Sequence, residues 1–407
     1  MSNLERFSLY VALTALTALA IDGVLPSMLL IETELGASSP FSSPQIITFF
    51  VFGMAFGELV IGPLSDAVGR RPAVIAGLVV FVAGTVMAAT ADSLAVVVAG
   101  RFLQGIGVAG PKIGTRAMIR DRYTGADMAQ VMSIIFTLLI LVPMIAPSVG
   151  AVMAAASGWR GLFWGYFVLA FGLGAWLWLR HPETLAKERR IPFQYSRLKV
   201  NVKAVLGRKD VTPVVIATGF VFGAQLTYFA VAADLFSTVY NRAAAMPLFF
   251  ALLATGTGVA LLLNVRFVRR TGMEIPMLAG VIVLGISGAG LVIAAMLTGG
   301  HPPLAVLLGV VWFGFFALGL LFGNLNAFAM RPLGALAGLS SSIVASLSSV
   351  VAFLFATSVE RAAHGPVYAI GLSFLLAAVL SAVLIRIALP KGALGRILAA
   401  LRMGEKA

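Results

Sequence analysis

Two ionisable side chains stand well inside apolar runs of this chain, Asp22 and Arg101. Asp22 sits in Ile21-Asp22-Gly23-Val24-Leu25-Pro26-Ser27-Met28, roughly eight residues from the outer end of its run and so ~12 Å deep. Arg101 opens the stretch Arg101-Phe102-Leu103-Gln104-Gly105-Ile106-Gly107, about seven residues in and ~10 Å deep. Charge at that depth is costly, and it is retained where it faces a water-filled cavity, meets a partner or moves a proton. Opposite charges at matched depth predict a direct or water-bridged relation. A carboxylate whose exposure changes can load and release a proton; a static ion pair would use the same two residues.

Other polar residues are weaker signals. Glu58 reads either as a cytoplasmic surface acid or as a second proton site. Lys112 reads either as a contact for an anionic substrate or as part of an inner gate. Gln104, Gln225, Tyr228, Asn324 and Asn326 are candidate lining residues of a substrate cavity, and polar helix–helix contacts would use the same residue types. The 28 phenylalanines and 15 methionines supply adaptable apolar surface, which suits a lipophilic pocket. Enzyme chemistry finds no support: there is no nucleophile–base pair, no cysteine, and only three widely separated histidines. Neither a metal site nor a cofactor is expected, and a proton gradient would be the energy source.

What positions these residues is a set of membrane helices. The chain is 60% hydrophobic and 11% charged, against roughly 25% charged residues in soluble domains. Lipid is therefore its main solvent. Apolar runs long enough to span lie near 7–30, 44–64, 72–91, 94–118, 129–156, 160–179, 211–233, 246–267, 275–298, 303–328, 335–358 and 366–389, twelve in all. A basic linker, 180–210, divides them six and six, giving bundles over 1–179 and 211–407, the second ending in a short cytoplasmic tail. With the N-terminus cytoplasmic, all 29 Lys and Arg except Arg101, Arg160, Arg242 and Arg361 fall toward the cytoplasm. The net charge of +13 then marks the side facing cytoplasm and anionic lipid, and no nucleic-acid partner is expected.

The loop after the second run reads Gly62-Pro63-Leu64-Ser65-Asp66-Ala67-Val68-Gly69-Arg70-Arg71. Gly62 would allow close helix approach and Gly69 a tight reversal. Asp66 is an acid among bases, free to pair with Arg70, Arg71 or a base at the foot of span 4. Asn264-Val265-Arg266-Phe267-Val268-Arg269-Arg270-Thr271-Gly272 repeats the basic pair at the equivalent place in the second half. Pro143, Pro147 and Gly150 predict a kink in span 5. Gly158-Trp159-Arg160-Gly161-Leu162-Phe163 reads as an interfacial aromatic anchor before span 6.

These motifs resemble the major facilitator superfamily. The 62–71 run is similar to its G-x-x-x-D-x-x-G-R-R loop, and span 4 to its R-x-x-Q-G-x-G motif. Residues 22–27 and 158–163 are similar to the D-x-x-L-P-S and G-W-R-x-x-F segments of bacterial multidrug efflux proteins of the bicyclomycin/chloramphenicol-resistance (Bcr/CflA) type. Alanine at position 146, where the family's antiporter motif has glycine before proline, is shared with that type. Glu58 departs from it, since glutamine is usual there.

The resemblance implies an all-α major facilitator fold with two six-helix bundles and both termini cytoplasmic. It implies a role for Arg101 in proton coupling. The loop would be a latch in which Asp66 engages Arg116 or Arg120 and the start of span 11. The expected function is proton-coupled export of small, mainly hydrophobic compounds by a monomer in the bacterial inner membrane. Import of a nutrient or siderophore by the same fold is the alternative. A receptor or scaffold would need neither Asp22 nor Arg101.

Overall fold

The computed structural model describes residues 1–36, 39–123 and 125–389. The expected C-terminal tail, with Lys391, Arg396, Arg402 and Lys406, lies outside the described residues. All regular structure among the described residues is helical.

Helix α1 (Asn3–Asp22) opens on a capping box: the Ser2 hydroxyl accepts from the Glu5 amide, and the Ser2 amide donates to Glu5. It ends at Asp22. Pro26 has no N–H to continue the ladder, so a 3-10 turn (Leu25–Ser27) intervenes before α2 (Met28–Leu35). Next come α3 (Gln45–Val68), α4 (Arg70–Ala89) and α5 (Leu94–Ala109). A π segment, Gly110–Gly114, interrupts the ladder at Pro111 and leads into α6 (Thr115–Arg122). Helix α7 runs Gly125–Arg180, α8 (Tyr195–Leu206) lies in the basic linker, and α9 (Thr212–Asp234) follows. The chain finishes with α10 (Met246–Thr271), α11 (Glu274–Leu297), α12 (Leu304–Met330), α13 (Ala337–Ala362) and α14 (Pro366–Ala388).

Eleven segments among the described residues are long and apolar enough to span a membrane, one fewer than the sequence predicts. The difference lies in Val142–Arg180, 39 residues counted as one segment. A straight helix of that length would be ~58 Å, about twice a bilayer core. Gly158 breaks it, with φ 69° and ψ 175°. Gly158 is thus the turn between spans 5 and 6, and Pro143 and Pro147 lie inside the helix before it.

Packing pairs recur between the two halves of the chain. Helices α3 and α4 both pack on α5, as α10 and α11 pack on α12; α4 meets α7 as α11 meets α14. Helix α5 is gripped closely because it lacks side-chain bulk where it crosses its neighbours. A Cβ on Gly105 would fall on the Phe50 carbonyl of α3, and one on Gly107 would fall on the Phe81 amide of α4. The reversals after α3 and α10 both turn on positive-φ glycines, Gly69 (110°) and Gly272 (77°).

The halves meet along α3 with α13 and along α7 with α10. The first seam is antiparallel: Phe52 stacks on Phe353, with centroids 4.3 Å apart. Further along, Ser349 Oγ donates to Glu58 Oε2 at 2.9 Å, and Gly62 backs onto Ser342.

Candidate functional site: charges at bilayer depth

Asp22 is 3% exposed, and its Oδ1 is buried without a hydrogen-bond partner. It stands where α1 gives way to the 3-10 turn, so the carboxylate sits at a helix discontinuity. Tyr166 of α7 donates to the Leu19 carbonyl at 3.0 Å, beside it. The Tyr166 ring lies within electrostatic reach of both Asp22 and Arg101. Gly150 packs against the Gly23 carbonyl, which brings α7 to the same break.

Arg101 is fully buried and makes no ion pair among those the structure gives. Its Nε donates to the Ile46 carbonyl (2.9 Å), Nη2 to the Ala20 carbonyl (2.9 Å) and Nη1 to Gln104 Oε1 (2.8 Å). Its guanidinium lies 4.3 Å from the Phe50 ring centroid. Of the direct or water-bridged relation expected with Asp22, the direct ion pair is not among the contacts of Arg101. Arg101 ties α1, α3 and α5 together through carbonyls and reaches Ala20, two residues short of Asp22. Gln104 continues this network, donating to Thr85 Oγ1 at 2.7 Å. It is fully buried, so it lines no open cavity.

The residues that departed from the family pattern meet each other. Lys112 Nζ lies 2.6 Å from Glu58 Oε1. Glu58 is fully buried, whereas the Lys112 side chain is 21% exposed. Its reading as a surface acid is therefore replaced by that of a buried acid on the seam between halves.

At the inner loop, Asp66 pairs with Arg70, and Arg70 Nε donates to Asp121 Oδ2 at 2.8 Å. Of the pairings open to Asp66, the one with Arg70 is formed, and Arg70 extends it to Asp121, an acid at the foot of span 4. Arg70 follows the Gly69 reversal closely enough to bridge both carboxylates. Arg120 is exposed; Arg116 is accessible and stands in the field of Glu58. Glu183 of the linker accepts from the amides of Arg70 (2.9 Å) and Arg71 (3.1 Å), capping α4. A Cβ on Gly69 would lie 2.6 Å from Glu183 Oε2, so this cap needs glycine there. Nearby, Tyr10 Oη and His181 Nε2 are 2.9 Å apart, and His181 Nδ1 is 2.7 Å from the Pro182 carbonyl. Burial holds the His181 pKa below its usual 6.5, so Nδ1–H donates to Pro182 and neutral Nε2 accepts from Tyr10.

Asp66→Asn will shift the inward/outward balance roughly two- to fivefold, the scale of a partly exposed ion pair. Labelling of single cysteines on each side, in a chain with no native cysteine, reads that shift; an unchanged ratio contradicts the latch.

Of the other expected lining residues, Tyr228 and Asn324 are buried, while Gln225 and Asn326 are partly accessible. Tyr228 is fully buried among Phe229, Phe250 and Phe315. Asn324 is buried and joins α12 to α10, donating to Asn264 Oδ1 at 2.7 Å. Asn326 donates to the Phe322 carbonyl of its own helix, and Gln225 is half-buried on α9. Trp159 is buried, donating to Glu34 at 2.7 Å beside the Arg160–Glu34 ion pair.

Fold and site define a multi-pass α-helical membrane protein with isolated charges at bilayer depth. The Major Facilitator Superfamily profile matches residues 10–356, and the chain belongs to that family of transporters. It is 28% identical over 343 residues to a bicyclomycin resistance protein homolog of Haemophilus influenzae, covering 83% of this chain and 84% of that one. It is 30% identical over 259 residues to a chloramphenicol resistance protein of Pseudomonas aeruginosa, covering 63% and 59%. The fold is similar to that of a D-xylose–proton symporter, with TM-score 0.71, 16% identity and coverage of 93% and 97%. It is also similar to human organic anion transporter MFSD10, with TM-score 0.63, 18% identity and coverage of 96% and 100%.

Proposed function

We propose that the chain exports small, mainly hydrophobic compounds across the bacterial inner membrane in exchange for protons. Twelve crossings in two six-helix bundles, 1–179 and 211–407, rock about the α3–α13 and α7–α10 seams, with both termini cytoplasmic. The protein works as a monomer and needs no cofactor.

The observation that carries this reading is Asp22, a buried carboxylate with a partnerless oxygen at a helix break. Such a group is costly as an anion in lipid and inexpensive as an acid, so its proton follows its exposure. Arg101 is its positioning partner through the Ala20 carbonyl, and the Asp66–Arg70–Asp121 chain holds the inner gate. The names of the relatives point to chloramphenicol and bicyclomycin as the first compounds to try.

Cells producing the protein should accumulate less chloramphenicol than cells producing Asp22→Asn, with the difference vanishing on addition of a protonophore. Greater accumulation than in control cells would mean import instead.

A further inference from the structure

The Glu58–Lys112 pair takes no part in the proton path above. Lys112 lies ten residues before Arg122, the end of α6, and Glu58 ten before Val68, the end of α3. The spans 44–64 and 94–118 each end six residues further on, so both lie ~9 Å inside the cytoplasmic edge of the membrane. An ammonium there is retained where it meets a partner or water rather than hydrocarbon. The pair is asymmetric: the acid is sealed between α3, the π segment and α13, while the base opens outward. The π segment containing Lys112 is the kind of helix defect that recurs at functional sites. Arg116, one turn below, lies in the field of the same carboxylate. Apolar surface adjoins them, with Met54 Sδ 3.5 Å from Nζ and the Phe52–Phe353 stack within two turns.

We propose that Lys112 docks a carboxylate on the transported compound, and that Glu58 holds the ammonium when no substrate is bound. The substrates then include hydrophobic compounds bearing an acidic group, alongside neutral ones. This inference rests on the transporter reading and names its substrate class.

The test uses full-length protein in nanodiscs of zwitterionic lipid, without a gradient, and three matched probes: 2-naphthoate, 2-naphthamide and 2-naphthylmethylamine. Calorimetry should show naphthoate binding about tenfold or more tighter than naphthamide, the scale of one charge-assisted hydrogen bond. Lys112→Met should erase that preference, and Lys112→Arg should keep much of it. Glu58→Gln should tighten naphthoate binding by removing the internal competitor. Because Lys112→Met leaves Glu58 buried alone, the double variant Glu58→Gln/Lys112→Met serves as the folded control, its folding checked by its thermal unfolding transition. Absent naphthoate binding, equal binding of naphthamide or the amine, or a preference that survives in the double variant would overturn the proposal. Since no gradient is used, failure of proton-driven export would leave this result standing. Normal export of neutral compounds with no naphthoate preference would sink only the carboxylate site.

Discussion

Asp22→Asn will reduce pH-gradient-driven flux in proteoliposomes to that of protein-free vesicles, while gradient-free exchange of substrate continues. Asparagine has the same shape and keeps the polar tip beside Gly23, so the close contact of α7 with the break is undisturbed. What it removes is the ability to carry a proton. The effect is large because no acid nearby can replace Asp22. Glu58 is held by Lys112 and Ser349, and Glu34 is engaged with Trp159 and Arg160 at the outer surface. Exchange survives because it needs only reorientation with bound substrate. Coupled flux that persists in Asp22→Asn would remove Asp22 from the mechanism.

Gly105→Ala will destabilise the protein by roughly 1–3 kcal/mol, the usual cost of overpacking a tight contact. The added methyl would fall on the Phe50 carbonyl and within 2.8 Å of the Met54 amide. Both are helix backbone and cannot turn aside, so α3 and α5 must separate. Phe50 also carries the ring beneath Arg101, and Ile46, one turn away, supplies a carbonyl to it. Separation therefore loosens the buried arginine as well as the packing. Gly172→Ala is the control, since nothing lies within 4 Å of a Cβ there. Thermal unfolding in detergent, followed by tryptophan fluorescence, should show a clear drop for Gly105→Ala and little change for Gly172→Ala. Equal transitions would mean that the helices do not touch as described.

What could be read from sequence was whatever lipid penalises. Apolar runs mark helices because a polar surface cannot face hydrocarbon, and Asp22 and Arg101 stood out as charges amid such runs. The inner loop was legible because Gly69 and its flanking charges form one local pattern. Partners were harder. Arg101 was expected near Asp22, yet its donors found carbonyls, which every residue carries and no residue type advertises. Asp121 and Glu183 carry no local signature, since what distinguishes them is proximity to Arg70 across the fold. Glu58 and Lys112 were each noticed, but their meeting depends on the register between α3 and the π segment. Gln104, Tyr228 and Asn324 failed as cavity residues for another reason. A helix apolar on most faces gives no sign of which side meets a neighbour, so a buried network and a wet wall read alike.

Proton-coupled export is tested most directly by following protons and substrate together. Purified protein in proteoliposomes containing a pH-sensitive dye receives an imposed chloramphenicol gradient in the absence of any pH gradient. The proposed mechanism predicts that protons move against the direction of chloramphenicol, and that Asp22→Asn shows no proton movement. Protons travelling with chloramphenicol, or chloramphenicol crossing through the wild-type protein with no proton movement, would contradict it.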